Sequence, residues 1–266
     1  MTIEGSHPSL SVAALRSWVE TAGRAVAAYY GEFPVRQLDL SIRAGGSGKI
    51  EGGRTWGRRG GATIRISVGE DATAEDLATN WVLVHEMVHT AFPSMTGHEW
   101  IEEGLATYVE PLVRVRAGLI PGDDIWKWLL WGLPKGVDGM GGRGLDEARS
   151  WGATYWGGAV FCFLADVRIR ERTGNRKSLD DALRGIVKAG GNVTVSWPIE
   201  RALDAGDRAT GVPVLRELYE QMGRAPADVD LKDLWKKLGV SSEGGRIVYD
   251  DRAPQASIRK GITTGK

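Results

Sequence analysis

The 266-residue sequence predicts an α+β fold, with a small mixed sheet near the N-terminus and a mostly helical second half. Three features carry that reading. Alternating apolar patterns of strand type are concentrated before residue 70, capping residues open one helix after another from residue 73 onward, and no internal repeat or low-complexity linker interrupts the chain. Hydrophobic residues at 42% and charged residues at 26% allow a packed core and exclude a disordered chain. A formal net charge of zero gives nothing that would draw the protein to nucleic acid or an anionic membrane.

The elements follow in order. The run "LSVAALRSWVETAGRAVAAYYGEF" has apolar residues at helical spacing and reads as a helix ending near Gly31 and Pro34. "RQLDLSIRA" and "ATIRISVG" alternate and read as strands. Between them, "GGSGKIEGGRTWGRRGG" is too rich in glycine to read as a regular element. Thr73 and Asp76 form a capping box that opens a helix running to Pro93. Thr96 and Glu99 form another, so a helix begins near Gly97, and Pro111 ends or kinks it. The glycine- and tryptophan-rich stretch from Pro121 to Trp151 reads as a loop region, followed by a long helix over "YWGGAVFCFLADVRIRERTG". Ser178 with Asp181, then Pro198, Pro213 and Asp230, mark further helix starts, and "RIVYD" reads as a late strand. A subdomain boundary is expected between residues 115 and 125. It would separate an α/β part (8–118) from a helical part (119–266).

The lone cysteine, Cys162, excludes an internal disulfide and a cysteine-based zinc site, and its apolar surroundings assign it to the core. No run approaches the roughly 20 apolar residues of a membrane helix. "MTIEGSHPSL" has no apolar signal core, which leaves the compartment open. Arg54, Arg58, Arg59 and Arg65, spread among glycines, read as a solvated strand edge. Trp126, Trp128 and Trp131 either pack in the core, the commoner fate, or line a cleft.

The chemistry is concentrated in "HEMVH", which holds His85 and His89, two of the four histidines. Residues four apart on a helix share a face, so these imidazoles can meet at one zinc ion at the roughly 2.0–2.1 Å that zinc–nitrogen bonds require. Glu86 is displaced around the helix, away from a ligand's position and toward that of a base that deprotonates an attacking water. A catalytic zinc needs a third protein ligand and an open fourth position. His98, Glu99, Glu102, Glu103 and Glu110 are the candidates downstream. Glu102 and Glu103 point about 100° apart on their helix, so at most one of them aims at the ion, and helix arithmetic does not choose. Gly104 and Ala106 beside Glu103 would allow a close approach to the zinc helix.

Residues 100–110, "WIEEGLATYVE", resemble the W-x-x-E-G-x-A-x-Y-x-E segment that follows HExxH in the gluzincin metallopeptidases, notably the aminopeptidase N and glycyl aminopeptidase families. The resemblance implies that Glu103 is the third zinc ligand and leaves Glu102 as a solvated helix charge. The later segment "TYWGGAVFCFLADVRIRERTGNRKSLDDALRGI" is similar to a glycyl aminopeptidase segment, which implies that Tyr155 steadies the oxyanion. The chain also departs from these families. Only the 13 residues 90–102 separate His89 from Glu103, Gly157 stands where the family has lysine, and no Gly-x-Met-Glu-Asn segment precedes the zinc helix. Zinc hydrolysis is therefore the expectation, and removal of single N-terminal residues is not.

The fold implied is a thermolysin-like zincin unit. Its expected activity is hydrolysis of peptide bonds in a peptide or protein substrate, with Zn²⁺ on His85, His89 and Glu103, Glu86 as base and Tyr155 as oxyanion donor. In such folds an edge strand beside the zinc helix pairs with extended substrate. The glycine-rich segment with Gly52, Gly53 and Gly57 would be that strand or a flexible hairpin. The alternative to hydrolysis is a catalytically silent zinc-binding or interaction domain of the same fold. Intact Glu86 weighs against it, because a structural site has no use for a base.

Overall fold

The computed structural model describes residues 1–5, 10–46 and 48–265. One sheet contains β1 (Thr2–Glu4), β2 (Leu38–Ala44), β3 (Ile50–Arg58) and β4 (Gly61–Val68), in the order β1-β2-β4-β3. β1 and β4 run parallel to β2, and β3 pairs antiparallel with β4 as an edge strand. β2 and β4 show the alternation the sequence carries: Leu40, Ile42, Ile64, Ile66 and Val68 are all buried. β1 was not expected.

β3 corrects the expectation that the glycine-rich run holds no regular element: its Ile50–Arg58 part is the edge strand that was one of its two readings. Its glycines stand where other parts of the chain press on it. A side chain at Gly53 would strike Glu86 and Ile66, and one at Gly57 would strike the Val193 carbonyl. Gly52, at φ 136°, lies where the register with β4 shifts.

Helix α1 (Val12–Tyr30) starts at Ser11, whose hydroxyl accepts from the Ala14 amide at 3.1 Å, and stops at Gly31 with φ 93°. The capping box at Thr73 and Asp76 is present, but the helix expected from it is two: α2 (Ala74–Thr79) and α3 (Val82–His89). Asn80 breaks them apart at ψ 138°, and its Oδ1 accepts from the Val82 amide at 2.8 Å.

Helix α4 (Glu99–Arg116) starts later than expected. Gly97 has φ 83°, His98 takes the cap position, and no Thr96–Glu99 box forms. Pro111 does not end it. The Thr107 carbonyl, robbed of its helical partner by Pro111, accepts instead from Trp128 Nε1 at 3.4 Å.

The supposed loop from Pro121 to Trp151 contains an 18-residue helix, α5 (Asp123–Met140). Gly132 and Gly136 are packing glycines: any side chain there would strike Trp156 or its backbone. Trp156 belongs to a π-helical stretch, Gly152–Gly157, that leads into α6 (Gly158–Thr173). The remaining starts fall as read: α7 (Leu179–Lys188) with the Ser178–Asp181 box, α8 (Ile199–Thr210), α9 (Val214–Leu218) with a π-helical end at Tyr219–Gly223, and α10 (Leu231–Leu238) behind Asp230. Strands β5 (Val240–Glu243) and β6 (Arg246–Tyr249) form a hairpin, and α11 (Ala256–Thr264), which the sequence reading lacked, follows. Cys162 is buried. Among the described residues, no helix is long and apolar enough to cross a membrane.

Candidate metal centre and its cleft

α3 lies inside the molecule, with every residue from Val82 to Val88 buried, so its two polar positions, His85 and Glu86, are dehydrated unless partnered. α4 packs against it and supplies the partner for the histidines. His85 Nε2 is 3.3 Å from Glu103 Oε2 and 3.3 Å from His89 Nε2, and His89 Nε2 is 3.5 Å from the same carboxylate oxygen. These three residues form a group of possible metal ligands, their donor atoms within 4.8 Å of one another. A tetrahedral zinc with bonds of roughly 2.0–2.1 Å sets its ligand atoms about 3.3–3.4 Å apart. The observed triangle is of that size. Two imidazole nitrogens facing each other beside a carboxylate oxygen are a donor set suited to a cation.

The charges agree. Burial works to raise the Glu103 carboxyl, yet hydrogen bonds to the two imidazoles pull it down to about 2. Burial lowers His85, with Glu103 only partly offsetting it. His89 ends above its ordinary value because contact with Glu103 and the charges of Glu86 and Glu102 outweigh its burial.

Glu86 is buried beside this triangle without joining it. Its Oε2 accepts from Thr55 Oγ1 at 2.6 Å, and the same hydroxyl lies 2.8 Å from the Glu86 carbonyl. β3 thus lies directly over the glutamate, and the lack of a side chain at Gly53 makes room for it.

The other candidates stay outside the triangle, though Glu99 and Glu102 line the same cleft. His98 Nδ1 is 2.7 Å from Asp146, which also accepts from Trp100 Nε1 at 2.9 Å and from the Tyr219 hydroxyl at 2.8 Å. Glu110 is buried against Arg114 at 2.9 Å. Glu102 is not the solvated charge expected of it. It is half-buried at the cleft wall, accepts from the Met95 amide at 2.8 Å, and is raised by burial against the pull of that bond. Gly104 abuts Gly158 at the start of α6, so the close approach it permits is to that helix rather than to α3.

The cleft, about 460 Å³, also brings in Tyr155, Trp81, Ile50, Arg54, Glu99 and Val193. Tyr155 comes from the π-helical stretch. Its ring stacks on Trp151 at 5.6 Å, and burial followed by the charges of Glu103 and Glu86 holds its phenol above the ordinary value. Trp81 stands edge-on to His85 at 5.2 Å and is 43% exposed. Of the three tryptophans considered for the cleft, none lines it. Trp126 is core, donating to Thr263, while Trp128 and Trp131 stack on each other and meet Trp156 at a tilt and edge-on respectively. Thr55 and Trp81 went unread because their placement depends on a strand left undecided between edge strand and flexible hairpin and on a helix break at Asn80. The Asn80 side chain was the one local signal.

No protein-family model matches the chain, and no curated protein matches it. Among solved structures, the fold is similar to the crystal structure of an aminopeptidase N family protein from Idiomarina loihiensis, with a TM-score of 0.69 and 15% sequence identity. The match covers 90% of this chain and 46% of that one, so the chain spans a little under half its length. At this identity the likeness is one of fold: a mixed α+β architecture with a small sheet and a mostly helical remainder.

Proposed function

We propose that this protein is a zinc-dependent peptide hydrolase of the gluzincin type with a thermolysin-like arrangement. The observation that carries the reading is the His85–His89–Glu103 triangle, with its 3.3, 3.3 and 3.5 Å edges and the Glu86 carboxylate beside it in an open cleft. The fold likeness to an aminopeptidase N family protein agrees with it.

Zinc held there would polarise the scissile carbonyl and acidify the attacking water. The chain's residues do the rest. Glu86 takes the water's proton at its carboxylate and passes it to the departing amine. Tyr155, which lines the same cleft, donates its hydroxyl to the oxygen that gains charge. The edge of β3 away from β4 has no strand partner among the described residues and offers backbone groups along which an extended peptide can lie. Tyr155 belongs to the 119–266 part and the ligands to the 8–118 part, so the active site sits where those two proposed parts meet.

The test is turnover of a peptide library by zinc-loaded protein, with cleavage sites read by mass spectrometry, and its suppression by a chelator and recovery on zinc addition. Chelator-insensitive cleavage, or none from fully loaded protein, refutes the proposal.

A further inference from the structure

The edge strand β3 does more than border the cleft, because it touches the proposed base directly. Thr55 Oγ1 sits 2.6 Å from Glu86 Oε2 and 2.8 Å from the Glu86 carbonyl oxygen. A hydroxyl has one proton to give and lone pairs to accept another. The closer, charged oxygen takes that proton, since hydrogen bonds to ionised acceptors are the shorter and stronger kind. Gly53, two residues earlier on the strand, faces Glu86 with no side chain, where any Cβ would collide with the glutamate's own chain. One residue of the strand thus leaves room for Glu86, and the next but one holds its carboxylate.

We infer that Thr55 is a positioning residue for Glu86, fixing which carboxylate oxygen meets the attacking water and serving the base in both of its protonation states. This rests on the peptide-hydrolase reading. With Oε2 tied to Thr55, Oε1 is the oxygen left for the water. When Glu86 carries the abstracted proton, the hydroxyl has a second acceptor within reach. It turns its proton to the Glu86 carbonyl at 2.8 Å and accepts the proton on Oε2. In both states the Thr55 proton has an acceptor and Oε2 has a partner, and leaving either unpaired away from water would be costly. A carboxylate held in one rotamer loses less freedom on reaching the transition state than one that swings.

The test compares zinc-loaded wild type with Thr55→Val, which keeps the shape and removes the hydroxyl, and Thr55→Ser, which restores it. Thr55→Val should lower kcat about tenfold or more with KM little changed, and Thr55→Ser should recover to within about threefold of wild type. Affinity for a phosphinic peptide, a tetrahedral mimic measured by calorimetry without turnover, should fall in parallel in Thr55→Val, while zinc affinity stays at the wild-type value. If the hydroxyl merely fastens β3 to α3, Thr55→Val lowers Tm and leaves kcat and phosphinate affinity alone, and the inference is wrong. Equal losses in Val and Ser variants also overturn it. A zinc-loaded wild type that neither cleaves peptides nor binds the phosphinate removes the hydrolase reading and this inference with it. Normal wild-type behaviour matched by Thr55→Val removes the inference alone.

Discussion

Glu103 and Glu110 lie seven positions apart on α4, two turns along nearly one face, and their carboxyls are driven in opposite directions. Against its burial, Glu103 is pulled down to about 2 by the imidazoles of α3. Glu110 is pushed up to about 7 by burial, against the pull of Arg114. The difference arises because α4 runs back along the α2–α3 segment. Its start meets His85 and His89, while its later turns meet Thr79, whose carbonyl accepts from Arg114 Nη2 at 2.6 Å. One end of the helix therefore addresses the cleft, and the other braces the break at which α3 begins. Two glutamates of the same short motif thus have unrelated work, assigned by what each one meets.

The largest effect should come from breaking that contrast at its chemical end. Glu103→Ala or His89→Ala should reduce bound zinc from about one per chain to little and abolish hydrolysis. Glu110→Ala should keep the zinc and lower Tm instead, because it strands a buried guanidinium. Elemental analysis and thermal melts of the purified variants decide it. If Glu110→Ala also strips the metal, the two ends are coupled and the contrast fails.

Next in size is Glu86→Gln. The amide is nearly isosteric and lies outside the ligand triangle, so zinc content and fold should be kept. Peptide hydrolysis should fall by several orders of magnitude for want of a base. Wild-type rates in a metal-loaded Glu86→Gln protein would falsify the mechanism. Tyr155→Phe should cost less, roughly a hundredfold in kcat with KM little changed, the scale of losing one oxyanion donor. The ring stacked on Trp151 is retained, so Tm should not move. A change below about threefold would assign Tyr155 to packing.

The same contrast explains what was legible in the sequence. His85, Glu86 and His89 could be read because an i, i+4 pair on a helix meets by local geometry alone. The "W-x-x-E-G-x-A-x-Y-x-E" pattern is a mixture that spacing cannot sort. Alongside Glu103 it contains Tyr108, which donates to buried Asp166 at 2.9 Å, Gly104, which admits α6, and the Glu110 brace. Glycine misled twice, in β3 and in α5. In both places it marks close packing against Glu86 or Trp156 rather than a flexible loop, and only tertiary neighbours distinguish the two. The π-helical placement of Tyr155 has no periodic signature, the three-residue β1 is too short to announce itself, and α11 starts behind Gln255, whose side chain makes no capping bond.

The smallest effect is a pH dependence confined to the bracing end. In the unfolded chain Glu110 should lose its proton near the ordinary glutamate value of about 4.5, and in the fold near 7, because burial outweighs Arg114. Between those values the native state holds a proton that the unfolded state has released, so stability falls as pH rises. This contribution is fully present below about pH 4.5, declines to about pH 7, and is flat beyond. Glu110→Gln removes the titration and keeps a neutral side chain of similar shape. The stability of wild type relative to Glu110→Gln should therefore be greater at pH 5 than at pH 7.5, by on the order of 1–3 kcal/mol. Urea unfolding of both proteins in chelator, at the two pH values, measures the difference with the metal site out of play. A difference that grows with pH would mean that Arg114 wins over burial. The Glu110 carboxyl would then be held down as Glu103 is, and the two ends of α4 would no longer differ in sign.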